Sequence, residues 1–168
     1  MRANKNIFVA VDGSEASDRA VSYVAQMVDG RRDFRILLFH VPASMPPQLL
    51  EFGGAEVPAQ EERAAAELSD AQTAWVEEVA KAAQPIFARA KTRLREAHFA
   101  EEDVETLLFT PSAEQSLETS ILTAARAHEC GTVVVGREAF PWLKELFQAH
   151  VADKLIPQAG DLTLWVVQ

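Results

Sequence analysis

Residues 132–155 read T-V-V-V-G-R-E-A-F-P-W-L-K-E-L-F-Q-A-H-V-A-D-K-L, and the rest of the chain is organised around this stretch. Thr132–Val135 is a short, uncharged, β-branched run, the pattern of a strand buried on both faces. Gly136 ends the strand. Pro141 stands where a helix can begin, because its fixed φ suits a first helical turn and its missing N–H costs nothing there. A strand, a glycine turn and a helix together predict a place where backbone N–H groups and a helix dipole can bind an anion.

Four further apolar runs indicate strands on either side of this unit, at 7–11, 34–41, 104–109 and 162–167. Apolar residues recur every three to four positions between them. This spacing predicts helices over 15–27, 60–98, from Ser112 or Ser116 to about Glu129, and over 142–156. Pro85 is expected to kink or split the second helix near Gln84. The alternation of strands and helices predicts a parallel sheet with helices on both faces.

The composition is that of a globular protein: 168 residues, 48% hydrophobic, 24% charged, with a net charge of −9. One domain over residues 1–168 is expected, since no linker or repeat interrupts the pattern. The acidic balance argues against a nucleic-acid partner, because such proteins display clustered Lys and Arg. No apolar run approaches the ~20 residues that span a bilayer, and none precedes the first strand, so no membrane partner and a cytoplasmic location are expected.

The cysteine and histidine residues form no recognisable disulfide, metal-binding or catalytic pattern. Cys130 is the only cysteine, so no intrachain disulfide can form, and an inert, partly buried thiol is expected. His98 and His128 lack partners at ligand spacing, so no metal site is expected. No nucleophile elbow, paired-carboxylate pattern or Walker lysine is present, so no catalytic residue and no enzymatic activity are predicted.

Three segments in register resemble the universal stress protein family. They are Ile7–Ser17, Leu37–Val41, and Val133–Gly136 with the helical residues Leu143–Phe147 and Val151–Leu155. The resemblance implies an open five-stranded parallel sheet in the order 3-2-1-4-5, similar to the adenine nucleotide alpha hydrolase-like fold. It also implies a stress-response role and a homodimer, often formed through the last strand, where Trp165 is the candidate residue of the seam.

One branch of this family binds ATP and another has lost it. The binding branch carries a glycine, two residues, a second glycine, nine residues, then glycine and serine or threonine. Only the first glycine is kept here, as Gly136; Ala139, Ala149 and His150 occupy the other positions. A Cβ disfavours left-handed backbone, and alanine favours a helix where glycine would interrupt it. A more continuous helix over Trp142–Ile156 and a degenerate site are therefore expected.

The resemblance also assigns contacts that would matter if nucleotide binding is retained. Asp12 matches the strand-one aspartate near the nucleotide or its metal ion, and Val41 matches the residue whose backbone meets adenine. Arg137 and Val151 adjoin the motif. The cofactor expectation is none, with ATP and Mg²⁺ as the alternative.

Each of these residues also has a plain structural interpretation. Asp12 can stabilise the turn before the first helix, Gly136 can serve a strand-to-helix turn, and His40 can be a hydrogen-bonded core residue. Arg137, Lys144 and Lys154 form either a positive rim or ordinary surface charge. The long connection from Pro42 to Pro58 is expected to be functional or mobile. The resemblance thus implies a non-enzymatic stress protein that acts through dimerisation and unidentified protein partners, with a functional adenine-nucleotide-binding protein as the alternative.

Overall fold

The strands form one five-stranded, all-parallel sheet in a computed structural model that describes residues 5–31, 33–42, 45–50, 58–110, 116–137 and 151–168. Their order is β3-β2-β1-β4-β5, so β3 and β5 lie at the edges and the predicted topology is confirmed. The strands span β1 Asn6–Ala10, β2 Arg35–His40, β3 Val104–Leu108, β4 Thr132–Gly136 and β5 Thr163–Val167.

Helices cover both faces of the sheet, as predicted. They are α1 Glu15–Val28, α2 Pro58–Glu96, α3 Leu117–Ala127 and α4 Val151–Leu155, with short 3₁₀ turns at Pro47–Leu49, Glu101–Asp103 and Ile156–Gln158. The predicted helix over 142–156 is confirmed only where it is described, at Val151–Leu155. Among the described residues, no helix is long and apolar enough to cross a membrane.

The pleat of the strands divides the core into two layers. Phe8 and Ala10 of β1 pack on the side of α3 and α4. Ile7, Val9 and the following Val11 pack on the side of α1 and α2. This alternation explains why the strand runs are apolar throughout: in a parallel sheet covered on both faces, every second side chain reaches a different core.

Local chemistry sets the ends of the helices. Ser14 caps α1 and Ser116 caps α3, each accepting a hydrogen bond from the backbone N–H three residues on. Ser116, not Ser112, is therefore the cap of α3. At the other end of α1, Asp29 has a left-handed conformation with φ 49°, and Gly30 follows with φ 61°.

Helix α2 departs from its prediction. It begins at Pro58 and continues through Pro85 to Glu96, so of the predicted kink or split near Gln84 the split is wrong, whereas the kink stays a prediction. Pro85 is exposed, whereas Ala83 and Ala90 beside it are buried. Packing of the buried side thus holds the helix together although proline removes one hydrogen bond at a cost of about 3 kcal/mol. Before α2, Pro47–Leu49 is the only turn of helix in the described part of the connection.

Candidate functional site

The carboxyl edge of the sheet brings three of the predicted site positions together. Asp12 follows β1, Val41 follows β2 and Gly136 ends β4, and β1 lies between β2 and β4 in the sheet. In open α/β sheets, ligands bind at this edge where the strand order reverses, which here lies between β1 and β4. The structure thus places these three positions at the same edge of the sheet, as the sequence predicted.

The side chain of Asp12 is engaged in hydrogen bonds within the turn between β1 and α1. Its Oδ1 accepts hydrogen bonds from the Ser14 backbone N–H at 2.9 Å and from the Ser14 hydroxyl at 2.6 Å. Ser14 Oγ in turn accepts from the Ser17 N–H at 3.2 Å. These bonds fix the entry to α1, which is the structural role that the sequence allowed for Asp12.

Gly136 is required by close packing. A Cβ at this position would lie 2.4 Å from the carbonyl oxygen of Ala16, in the first turn of α1. No side chain fits that distance, so β4 and α1 can approach each other only with glycine here. The presence of Gly136 is thus fully explained without a phosphate.

Residues at the end of β2 belong to the core. Val41 is 1% exposed. The Nδ1 of buried His40 lies 2.7 Å from the Val11 carbonyl oxygen, so Nδ1 carries the proton and donates. The His40 ring also stands edge-on to Phe87 of α2. The prediction of a hydrogen-bonded core histidine is confirmed.

Helix α2 clamps the turn after β1, an arrangement that the sequence did not reveal. Arg89 donates from Nη2 to the Gly13 carbonyl at 2.5 Å, and its Nε lies 3.1 Å from Asp18 Oδ1. Arg93 holds the other oxygen of Asp18 at 3.0 Å. The spacing of four between Arg89 and Arg93 on one side of a helix was the available signal.

A further residue that the sequence did not reveal is Glu118, in the first turn of α3. Its side chain is 5% exposed, and Lys154 Nζ of α4 lies 3.3 Å from its Oε1. Burial favours the neutral carboxyl, but hydrogen bonds from its own backbone N–H, from Ser116 and from Lys154 outweigh it and lower the pKa of Glu118. Lys154 therefore joins α3 to α4, and neither a phosphate rim nor plain surface charge describes it.

The remaining predicted positions divide into two groups. Arg137 is exposed, and its N–H donates to the Val167 carbonyl at 2.8 Å, while Val151 is 2% exposed and belongs to the core beside α3. Ala139, Lys144, Ala149 and His150 lie outside the described residues.

Metal and thiol chemistry find no support in the described part of the chain. It holds no group of three or more His, Cys, Asp or Glu side chains placed to bind a metal ion. Cys130 is buried, and burial together with the nearby Glu105 raises the pKa of its thiol to about 11. At neutral pH the thiol is protonated and unreactive, as predicted.

Several solved structures share this fold. A universal stress family protein from Burkholderia pseudomallei matches with a TM-score of 0.60 and 16% identity, over 99% of this chain and 98% of that one. A universal stress protein from Archaeoglobus fulgidus in complex with dAMP matches with a TM-score of 0.54 and 15% identity, over 99% and 100%.

A universal stress family protein from Arabidopsis thaliana with AMP bound gives a TM-score of 0.55 and 14% identity, over 97% of this chain and 90% of that one. At these identities the similarity establishes the fold. No curated protein sequence matches the chain significantly. The sequence profile described as the universal stress protein family matches residues 3–160. The chain therefore belongs to the universal stress protein family.

Proposed function

We propose that this chain is a non-enzymatic stress-response protein that works through self-association and protein contacts, with weak or lost ATP binding. The observation that carries the proposal is the engagement of Asp12, whose Oδ1 already accepts two hydrogen bonds from Ser14. A nucleotide or its metal ion would have to compete with these bonds for the same oxygen.

Two further features support a degenerate site. Gly136 is explained by the approach of Ala16, and Lys154 is engaged with buried Glu118 instead of standing at an open rim. In the sequence, Ala139, Ala149 and His150 replace the small residues of the ATP-binding motif. Asp12 and Gly136 thus each have a structural reason to be kept. The replaced positions, Ala139, Ala149 and His150, are those that would face a phosphate chain.

Self-association through β5 fits the strand's place at the sheet edge, where one side of its backbone has no neighbouring strand. Trp165 itself packs edge-on against Tyr23 of α1, with ring centroids 5.8 Å apart. Val166, with 37% exposure, is the better candidate for the seam. Val166→Asp should shift the mass in light scattering from two chains to one, and an unchanged dimer would place the seam elsewhere.

The second candidate function is adenine-nucleotide binding, favoured by the solved relatives with dAMP and AMP. Val41 at the end of β2 and the switch point between β1 and β4 would hold the base and sugar. A monophosphate would need fewer contacts from the altered motif than a triphosphate does.

Thermal unfolding with ATP, AMP and Mg²⁺ separates the two candidates. A ligand at 100 times its Kd adds about 2.7 kcal/mol to the stability of the folded state, an easily measured rise in Tm. We expect no shift with millimolar ATP. A saturable shift with ATP would overturn the degenerate-site proposal, and a shift with AMP alone would establish the second candidate.

A further inference from the structure

A cavity of about 250 Å³ lies at the amino end of β3, between the C-terminal part of α2 and the 3₁₀ turn Glu101–Asp103. Val104, the first residue of β3, forms part of its lining. Asp12 and Gly136 lie at the opposite, carboxyl edge of the sheet. The cavity is therefore separate from the candidate nucleotide site.

The end of α2 fixes the shape of this cavity. The N–H of Phe99 donates to the Leu94 carbonyl at 3.1 Å, and the N–H of His98 donates to the Arg95 carbonyl at 3.0 Å. Because His98 is left-handed with φ 68°, these bonds form a Schellman motif. A Cβ on Gly30 would lie 2.7 Å from the His98 carbonyl oxygen, so the motif packs closely against the end of α1. The cavity is thus preformed, as small-molecule sites usually are.

The inside of the cavity is apolar. Phe99 and Val104 are 6% and 7% exposed and belong to the core beneath α2. Ala88 and Ala100 complete this part of the lining with small side chains. An apolar cavity of about 150 Å³ holds benzene, so the larger volume here suits a ring with a short chain and excludes a long acyl chain.

The rim of the cavity is cationic. Lys91 and Arg95 line it from α2, four residues apart and hence on the same side of the helix. No hydrogen bond or ion pair within the described part of the chain involves either side chain. Of the three acidic residues in the 3₁₀ turn, only Glu101 lines the cavity. Two cations and one carboxylate give the lining a net charge of +1, in a chain whose net charge is −9.

The dipole of α2 does not account for both cations. Arg95 lies in the last turn, where the free carbonyl groups of a helix favour positive charge. Lys91 lies one turn earlier and is half-buried. Two like charges at this spacing repel each other, and an anion bound between them would remove that repulsion.

We propose that this cavity binds a small organic acid, with its apolar body against Phe99 and Val104 and its carboxylate between Lys91 and Arg95. Thr92 lines the same wall and supplies a hydroxyl donor. Hydrogen bonds between a cationic donor and a carboxylate are stronger than those to a neutral group, so the rim selects an acid over its amide. The site uses none of the residues assigned to nucleotide binding and does not rest on the proposed function.

Three probes that share one apolar body and differ in charge test the proposal. They are phenylacetate, the neutral phenylacetamide and the cationic phenethylamine. Two-dimensional NMR of the isotope-labelled chain both locates the site and measures each Kd. We expect phenylacetate to shift the amide signals of Thr92, Phe99 and Val104 saturably. Phenylacetamide should bind about tenfold more weakly, because it lacks the ionic contacts, and phenethylamine should bind most weakly of all.

Removing the two cations should erase the preference for the acid. Lys91→Gln with Arg95→Gln should lower the affinity for phenylacetate to that for phenylacetamide. Arg63→Gln with Lys81→Gln is the matched control, since it removes two exposed cations from elsewhere on α2 and should leave both affinities unchanged.

Filling the cavity is a second test that does not depend on charge. Ala88→Leu should weaken the binding of phenylacetate and phenylacetamide alike, and leucine is almost as good a helix former as alanine, so α2 is kept. Ala82→Leu, at an exposed position of the same helix, should change neither affinity.

Three results would overturn the proposal. They are equal Kd values for phenylacetate and phenylacetamide, saturable shifts confined to residues away from the cavity, and no shifts with millimolar phenylacetate. The nucleotide test by thermal unfolding uses other ligands and concerns the opposite edge of the sheet. A failure of either proposal can therefore be told apart from a failure of the other.

Discussion

The two halves of α2 have the same kind of sequence but very different surroundings. Leu68, Trp75 and Val79 continue the apolar spacing of Ile86, Ala90 and Leu94. Ala90 and Leu94 are buried, whereas the residues of the first half are at most half-buried. The helix has 39 residues, about 58 Å at 1.5 Å per residue, and strands of this size cover only about 20 Å. Periodicity thus tells which face is apolar, and it does not tell whether anything lies beneath that face.

Truncating one apolar side chain in each half should give the largest contrast. Leu94 is 1% exposed and Val76 is 48% exposed. Leu94→Ala should lower the free energy of unfolding by about 2–5 kcal/mol, because it removes buried carbons and leaves a cavity. Val76→Ala should change it by less than about 0.5 kcal/mol. Urea denaturation of both variants measures the difference, and equal losses would mean that residues 60–82 are as well packed as the rest of α2.

Replacing the proline between the two halves should have the next largest effect. Pro85→Ala restores a backbone N–H to a helix that already continues through this position. We expect a gain of about 1–3 kcal/mol, since proline is about 3 kcal/mol worse than alanine inside a helix and part of that is returned by the freer unfolded chain. Gln84→Ala is the matched control and should be nearly neutral. A loss of stability in Pro85→Ala would indicate that the halves need proline to meet correctly.

The clamp between α2 and the β1–α1 turn should give the smallest of the three effects. Asp18 joins Arg89 and Arg93 at 3.1 and 3.0 Å, and its side chain is 21% exposed. Asp18→Asn should cost about 1 kcal/mol, because partly exposed ion pairs are screened by water. Most of the loss should disappear in 1 M NaCl. Glu15→Gln, in the same turn of α1, is the control. An Asp18→Asn loss that does not change with salt would mean that packing, not charge, holds this half of α2.

The candidate site shows the same division between pattern and surroundings. Asp12, Val41 and Gly136 could be placed at one edge from sequence, because the carboxyl ends of neighbouring parallel strands meet there. The residues that contact them from distant parts of the chain could not be predicted from sequence. The Ser14 bonds of Asp12 follow from local spacing, but the approach of Ala16 to Gly136 joins segments that lie far apart in the chain. Glu118 and Lys154 were also beyond sequence reasoning, since α3 and α4 meet only through the fold.

The strands, the parallel sheet and the cap at Ser14 could be read from the amino-acid sequence, because they depend on local propensity and on the alternation of apolar segments, and the resemblance to the family supplied the strand order. Tertiary contacts account for the other features: α2 runs unbroken through Pro85 and beyond the sheet, Asp18 ties it to α1, and Lys154 pairs with a buried carboxylate. These outcomes depend on which distant surfaces meet and how far each one extends, and neither quantity is written in the spacing of neighbouring residues.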